Sequence, residues 1–178
     1  QDEEAIVKYQ EALALYEAAG CDCSSEAASC RISLGTAFRN QERRDEALGI
    51  YRQALAIFEA VGAHRSPDAA SCIMSIATLL SDQEQYEEAL VVYGKALGIY
   101  QAVGSGQGPD AAACIGSIAC TLELQGRRED ALAEYRKALL IYEDSGAGHN
   151  VDAAAYICEV AALLGNLDQR EEALAEYR

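Results

Sequence analysis

Positive charge is scarce in this chain: across 178 residues, 14 Lys and Arg stand against 29 Asp and Glu, a formal net charge of −15. Affinity for nucleic acid comes mainly from phosphate neutralisation by Lys and Arg, so this balance argues against DNA, RNA and anionic membrane surfaces and leaves protein as the expected partner class. Long apolar runs are also missing. No stretch approaches the roughly 18 consecutive apolar residues of a membrane span, and the N-terminus lacks a secretory-signal pattern, so an intracellular, cytoplasmic protein is expected. Only two His occur, neither with a recognisable Ser or Cys partner nor in a His-Glu-x-x-His motif. Catalysis has no foothold there, and the chain reads as a non-enzyme with no cofactor. Apolar content, by contrast, is high at 51%, and much of it is Ala rather than Val or Ile, which biases the chain towards helix.

A period of 42 residues organises the sequence. Glu4-Ala5-Ile6, Glu46-Ala47-Leu48, Glu88-Ala89-Leu90, Asp130-Ala131-Leu132 and Glu172-Ala173-Leu174 follow one another 42 apart. The same step relates Tyr9, Tyr51, Tyr93, Tyr135 and Tyr177, then Tyr16, Phe58, Tyr100 and Tyr142, then Gly20, Gly62, Gly104 and Gly146. Such self-similarity is the signature of a repeat architecture. Gln169–Arg178 restates Gln1–Gln10, so the sequence is expected to be a piece of a longer chain. We read a single array over 1–178: a half repeat 1–21, repeats 22–63, 64–105 and 106–147, and a partial repeat 148–178.

Each period carries two helices. Ala89, Tyr93, Ala96, Leu97 and Tyr100 form an apolar stripe at helical spacing, and Ala70, Ile73, Ile76, Ala77 and Leu80 form another. Small residues at Gly35, Ala77, Ala119 and Ala161 mark close helix approach. The recurrent Gly suits a left-handed helix end, Ser24, Ser66, Gly108 and Asn150 suit N-caps, and Pro67 and Pro109 follow at a position where a missing N–H costs nothing. First helices are predicted near 25–41, 67–83, 109–125 and 151–167, second helices near 2–19, 44–61, 86–103, 128–145 and 170–178, with no strand. Hairpins of this kind bury their faces only by stacking, so the expected fold is all-α, a right-handed superhelical solenoid of antiparallel hairpins.

The order of small, aromatic and apolar residues, fullest in Ser66-Pro67-Asp68-Ala69-Ala70, Ile76-Ala77, Tyr86-Glu87-Glu88-Ala89-Leu90 and Tyr93-Gly94-Lys95-Ala96-Leu97, resembles the tetratricopeptide repeat in the 42-residue form of kinesin light chains. The resemblance implies a protein-binding scaffold that takes a peptide on the concave face lined by first helices. Repeats of that kind carry an Asn pair that clamps a peptide backbone. The matching positions here are Ile32-Ser33, Met74-Ser75, Gly116-Ser117 and Cys158-Glu159, which favours docking of an apolar helix over capture of an extended chain. Projected onto that face are Ile32, Ser33, Thr36, Arg39 and Asn40, then Met74, Ser75, Thr78, Ser81 and Asp82, then Gly116, Ser117, Cys120 and Glu123. These positions vary between repeats where packing positions do not, as expected for contacts to a partner. Ile32 and Met74 would anchor it, with Arg39, Asp82 and Glu123 setting its orientation.

Other constellations have plainer explanations. Cys30, Cys72 and Cys114, at the 42-residue step, are expected roughly 8–10 Å apart, too far for a disulfide, and read as small core residues. Cys21 and Cys23 with His64 and His149 sit on loops a whole hairpin apart, too dispersed for zinc. Gly104-Ser105-Gly106-Gln107-Gly108 follows a predicted helix, not the strand a phosphate-binding loop needs. The acidic pairs Glu3-Glu4, Asp45-Glu46, Glu87-Glu88, Glu129-Asp130 and Glu171-Glu172 lie in the first turn of each second helix, where the helix dipole favours them by about 0.3–1 kcal/mol each; they leave a negative edge suited to a basic helix. The tyrosine series reads as core. A structural spacer with an empty groove is the alternative function, and head-to-tail self-association through the cut repeat ends is expected from the apolar stripes there.

Overall fold

The computed structural model describes the backbone of residues 2–146 and 151–176, and side chains over 3–146 and 151–165. Asn150, His149 and Tyr177 lie outside them. The chain divides into two compact units, Gln1–Val103 and Gly104–Arg178. The first holds α1 (Asp2–Ala18), α2 (Ser25–Asn40), α3 (Arg44–Ala60), α4 (Pro67–Asp82) and α5 (Tyr86–Ala102); the second holds α6 (Pro109–Leu124), α7 (Arg128–Asp144) and α8 (Val151–Glu176). No strand occurs among the described residues.

Local chemistry sets the boundaries. The hydroxyls of Ser24 and Ser66 accept from the Ala27 and Ala69 amides at 3.1 Å each, capping α2 and α4, a contact worth about 1 kcal/mol per helix. Pro67 and Pro109 open α4 and α6. At the end of α1 and α3, Gly20 and Gly62 adopt φ of 68° and 74°, and the amides of Cys21 and Ala63 reach back to the carbonyls of Tyr16 and Phe58 at 2.8 and 2.7 Å. This is the left-handed helix ending that glycine makes at least cost. The turn inside each hairpin uses the same geometry, unforeseen from the sequence: Glu42, Glu84 and Gly126 have φ of 60°, 61° and 78°, and the amides of Arg43, Gln85 and Arg127 bond to Phe38, Leu80 and Leu122.

In the first unit, Tyr51 and Phe58 of α3 are fully buried, with Leu34 and Phe38 of α2 and Leu79 of α4 around them. Each such side chain contributes about 1.5–3 kcal/mol on burial. Gly35 is small for a reason: a Cβ there would lie 2.6 Å from Tyr51 Cε1. Successive hairpins are tied by thiols. Cys30 donates to the Tyr9 carbonyl at 3.8 Å and Cys72 to the Tyr51 carbonyl at 3.3 Å, so each first helix is pinned to the second helix 21 residues earlier.

In the second unit, α6 and α7 repeat the hairpin, burying Ala112, Ala119, Tyr135 and Tyr142. Two expectations fail in α8. The helix runs unbroken from Val151 to Glu176, so the break predicted between 167 and 170 is absent. Continuing the helix spares Asp168 a left-handed conformation costing roughly 1–2 kcal/mol, a cost that Glu42 and Glu84 do bear at the equivalent turns. Ala161, expected at a close helix contact, is exposed, while Leu163 is buried. Tyr156 stands where the period places Cys30, Cys72 and Cys114, and its ring sits 5.4 Å from that of Tyr135 and 6.1 Å from that of Tyr142. α8 thus meets α7 through a ring where α2 and α4 meet the preceding helix through a thiol.

Candidate functional site

At 100° per residue, Ile32, Ser33, Thr36, Arg39 and Asn40 fall within about 120° of the α2 circumference, opposite the buried Ala27, Leu34, Ala37 and Phe38 and bordered by the buried Ala28 and Gly35. Met74, Ser75, Thr78 and Asp82 take the same arc on α4. Ile32, Ser33, Thr36, Arg39, Met74, Ser75 and Thr78 are half-buried and Asn40 and Asp82 are exposed. Ser81 departs from the expectation: it is 7% exposed, at the arc's margin beside the stripe that packs against the neighbouring helix.

The hydroxyls on this face are already committed. Ser33, Ser75 and Ser117 donate to the carbonyls of Ser29, Ser71 and Ala113, four residues back, at 3.3, 3.0 and 3.0 Å. Thr36 and Thr78 donate to Ile32 and Met74 carbonyls at 3.0 Å. Each threonine oxygen then receives the hydroxyl of a tyrosine 15 residues on: Tyr93 donates to Thr78 at 2.9 Å, and Tyr51 to Thr36 at 3.1 Å, since the single Thr36 proton is engaged. Tyr–Thr–carbonyl chains therefore run from the core to the face and support it. What remains free in character for a partner in the first unit is apolar surface at Ile32 and Met74 and charge at Arg39 and Asp82.

In the second unit the pattern changes. Cys120 takes the threonine position and is exposed, and Tyr135 donates instead to Glu123 at 3.4 Å. Glu123, expected to orient a partner, thus also serves the core. Burial, followed by the Cys120 and Glu123 charges, pushes the Tyr135 hydroxyl pKa far upward. Gly116 is a further departure: expected on the partner face, it is buried, with the Tyr156 ring occupying the space a Cβ would need.

Cys72 and Cys114 are fully buried, and desolvation pushes both thiols up to about 12, which suits hydrophobic packing rather than redox chemistry. Cys21, Cys23, Cys120 and Cys158 are exposed. Among the described residues, no three His, Cys, Asp or Glu side chains come together as a metal site. The acidic pairs serve their helices: the Arg43 guanidinium holds both Glu46 oxygens at 2.7 Å while lying 4.4 Å from the Phe38 ring centre, and Arg127 pairs with Asp130. Sequence reasoning missed one feature, an apolar groove between α3 and α5. Its signal was the repeat position at which Ile73, Ile115 and Ile157 recur and only the first member, Arg31, is charged.

No helix among the described residues is long and apolar enough to cross a membrane. A model of the tetratricopeptide repeat matches residues 68–144, and a model of the soluble NSF attachment protein family matches residues 1–97, more than half of the chain. No curated protein matches the sequence. Solved structures share the fold. Aspartyl phosphate phosphatase F from Bacillus subtilis aligns with a TM-score of 0.72 at 20% identity, over 83% of this chain and 38% of that one. The chain thus spans well under half of that protein. A putative kinesin light chain from Podospora anserina with nearly identical TPR-like repeats aligns with a TM-score of 0.71 at 17% identity, over 98% of this chain and 83% of the other. BtubC (BKLC) from P. vanneervenii aligns at 0.66 and 18%, over 96% and 76%.

Proposed function

Because the chain belongs to the tetratricopeptide-repeat proteins, and with residues 1–97 to the family described as soluble NSF attachment proteins, we propose that it is a non-catalytic, cytoplasmic scaffold holding a helical or apolar segment of a partner protein on its first-helix face. One observation carries this reading. Ile32 and Met74 stand half-buried at the same register, 42 residues apart, on a face whose Ser and Thr protons are turned inward. Such a surface rewards burial of apolar side chains and offers little to an extended backbone. The charge of −15 favours a partner with a basic flank, drawn in at long range.

The test is selection of a displayed peptide library on the chain, with counter-selection on Met74→Glu/Ser75→Glu, after circular dichroism has shown equal helicity. Peptides with apolar residues at helical spacing should bind the parent chain at least about tenfold more tightly than the variant. Enrichment of nothing, or equal binding to both, would favour the structural spacer.

A second reading, self-association, is supported at α1. Leu15 is 71% exposed beside Ala12, Tyr16 and Ala19, whereas Ile57 and Ile141, at the same repeat position, are 9% and 7% exposed. Light scattering over a concentration series should then show dimers that Leu15→Glu removes, and a strict monomer throughout would reject the idea.

A further inference from the structure

α4 has two free arcs, and the face discussed above uses only one of them. Cys72 looks to α3, through the Tyr51 carbonyl, and Thr78 to α5, through the Tyr93 hydroxyl. On the far side of the helix, roughly 170° from the Met74 arc, Ile73 and Ile76 form the floor of a groove walled by α3 and α5. Two adjoining cavities of about 420 and 510 Å³ line it and share His64, Ile73 and Lys95. The apolar surface comes from Leu55 of α3, Ile73 and Ile76 of α4, and Val92 and Ile99 of α5. From Val92 to Ala102 the α5 wall runs about 15 Å, the length of some ten helical residues.

The preceding repeat shows what would close such a groove, for of Arg31, Ile73, Ile115 and Ile157 at this repeat position only Arg31 is charged. One period earlier, Leu13, Glu17, Asp22 and Arg31 line a cavity at the places of Leu55, Glu59, His64 and Ile73. There the Arg31 guanidinium crosses the floor, donating to the carbonyls of Asp22 and Ala27 at 3.2 and 3.3 Å. Replacing that Arg by Ile73 removes the bar and makes the floor apolar, and replacing Asp22 by His64 removes an acid from the rim. The larger cavity is lined by His64, Arg65 and Lys95 and by no carboxylate, with Glu59 confined to its neighbour. In a chain of net charge −15, a cationic rim on an apolar trough is complementary to one kind of ligand and unfavourable to most others.

We propose that the α3–α4–α5 groove is a docking surface, separate from the first-helix face, for a short acidic amphipathic helix of another protein. Its apolar stripe would lie on Ile73 and Ile76, and its carboxylates would meet Arg65 and Lys95. Gly98 gives the means of testing it, because a Cβ added there meets nothing within 4 Å, so Gly98→Leu fills the trough without disturbing the fold.

Two fluorescent twelve-residue peptides serve as probes, each with Leu at i, i+3, i+4 and i+7, one carrying Glu and the other Lys at the polar positions. Anisotropy titration should show the Glu peptide binding at least about tenfold more tightly than the Lys peptide. Gly98→Leu and Lys95→Glu should each weaken it about tenfold or more, and Met74→Glu should leave it unchanged. Thermal melts establish that the variants are folded. Binding of neither peptide, preference for the Lys peptide, or indifference to Gly98→Leu would overturn the proposal. Loss on Met74→Glu would assign the peptide to the first-helix face instead, and self-association abolished by Gly98→Leu would assign the groove to a second copy of the chain.

Discussion

The ring of Tyr156 occupies the space into which a side chain on Gly116 would project. At the repeat positions of Gly116 stand Ile32 and Met74, and at those of Tyr156 stand Cys30, Cys72 and Cys114. The pair is thus exchanged together: a large residue and a thiol in the earlier hairpins, a glycine and a ring here. Gly116→Ile is expected to destabilise the second unit by about 1–3 kcal/mol through overpacking. Adding Tyr156→Cys should recover a substantial part of that loss, which denaturant titration of the single and double variants measures. Additive effects would show that the two residues do not share the space.

Glu42 and Glu84 carry a conformation that Gly126 adopts at the same turn without a side-chain penalty. Glu84→Gly should therefore stabilise the chain by up to about 1 kcal/mol, a rise in melting temperature of roughly 2–4 °C. The same exchange at an ordinary helical site, Glu88→Gly, should lower it. A fall in melting temperature for Glu84→Gly would show that the backbone angle is not what limits this turn.

Thr36→Val should cost about 1–3 kcal/mol, because it takes the acceptor from the hydroxyl of the fully buried Tyr51. Thr36→Ser keeps the oxygen and should cost less. In a Tyr51→Phe background the Thr36→Val penalty should shrink, since no donor is then left unsatisfied. A penalty of the same size in both backgrounds would locate the effect in packing.

Buried Cys72 and Cys114, with thiols pushed up to about 12 by desolvation, unfold to thiols near 8.5. Between those values the folded chain holds protons that the unfolded chain releases. Stability from these groups is complete below about pH 8.5 and falls as pH rises towards 12. Chemical denaturation across pH 8–11 should show a decline that Cys72→Ala/Cys114→Ala flattens. Under native conditions at pH 8, an alkylating reagent should modify Cys21, Cys23, Cys120 and Cys158 well before Cys72 and Cys114.

Much of the fold is legible because its signals are local and recur. Glycine at 20 and 62, serine at 24 and 66 and proline at 67 and 109 each dictate a backbone state from their own chemistry, and the period supplies independent readings of the same rule. Features depending on two distant residues at once were not legible. Nothing beside Thr36 in the sequence reveals that its hydroxyl receives the Tyr51 proton, and nothing at Gly116 announces the ring of Tyr156. The unbroken α8 shows the limit from the other side: the period predicts a turn near Asp168, as at Glu42 and Glu84, and the helix continues through it.

The thiol ties and the glycine helix ends have a consequence for how such a chain changes length. Removing residues 22–63 would join Cys21 to His64 across a junction whose flanking angles already agree, with Gly20 and Gly62 at φ of 68° and 74° and Ser24 and Ser66 at −87° and −80°. The Tyr9 carbonyl would then meet the Cys72 thiol in place of Cys30. Slippage during copying of the encoding DNA can accordingly add or delete whole hairpins with no new junction to be invented. Heredity in this fold works on an alphabet of 42-residue words, and the number of words is easier to alter than the spelling of any one.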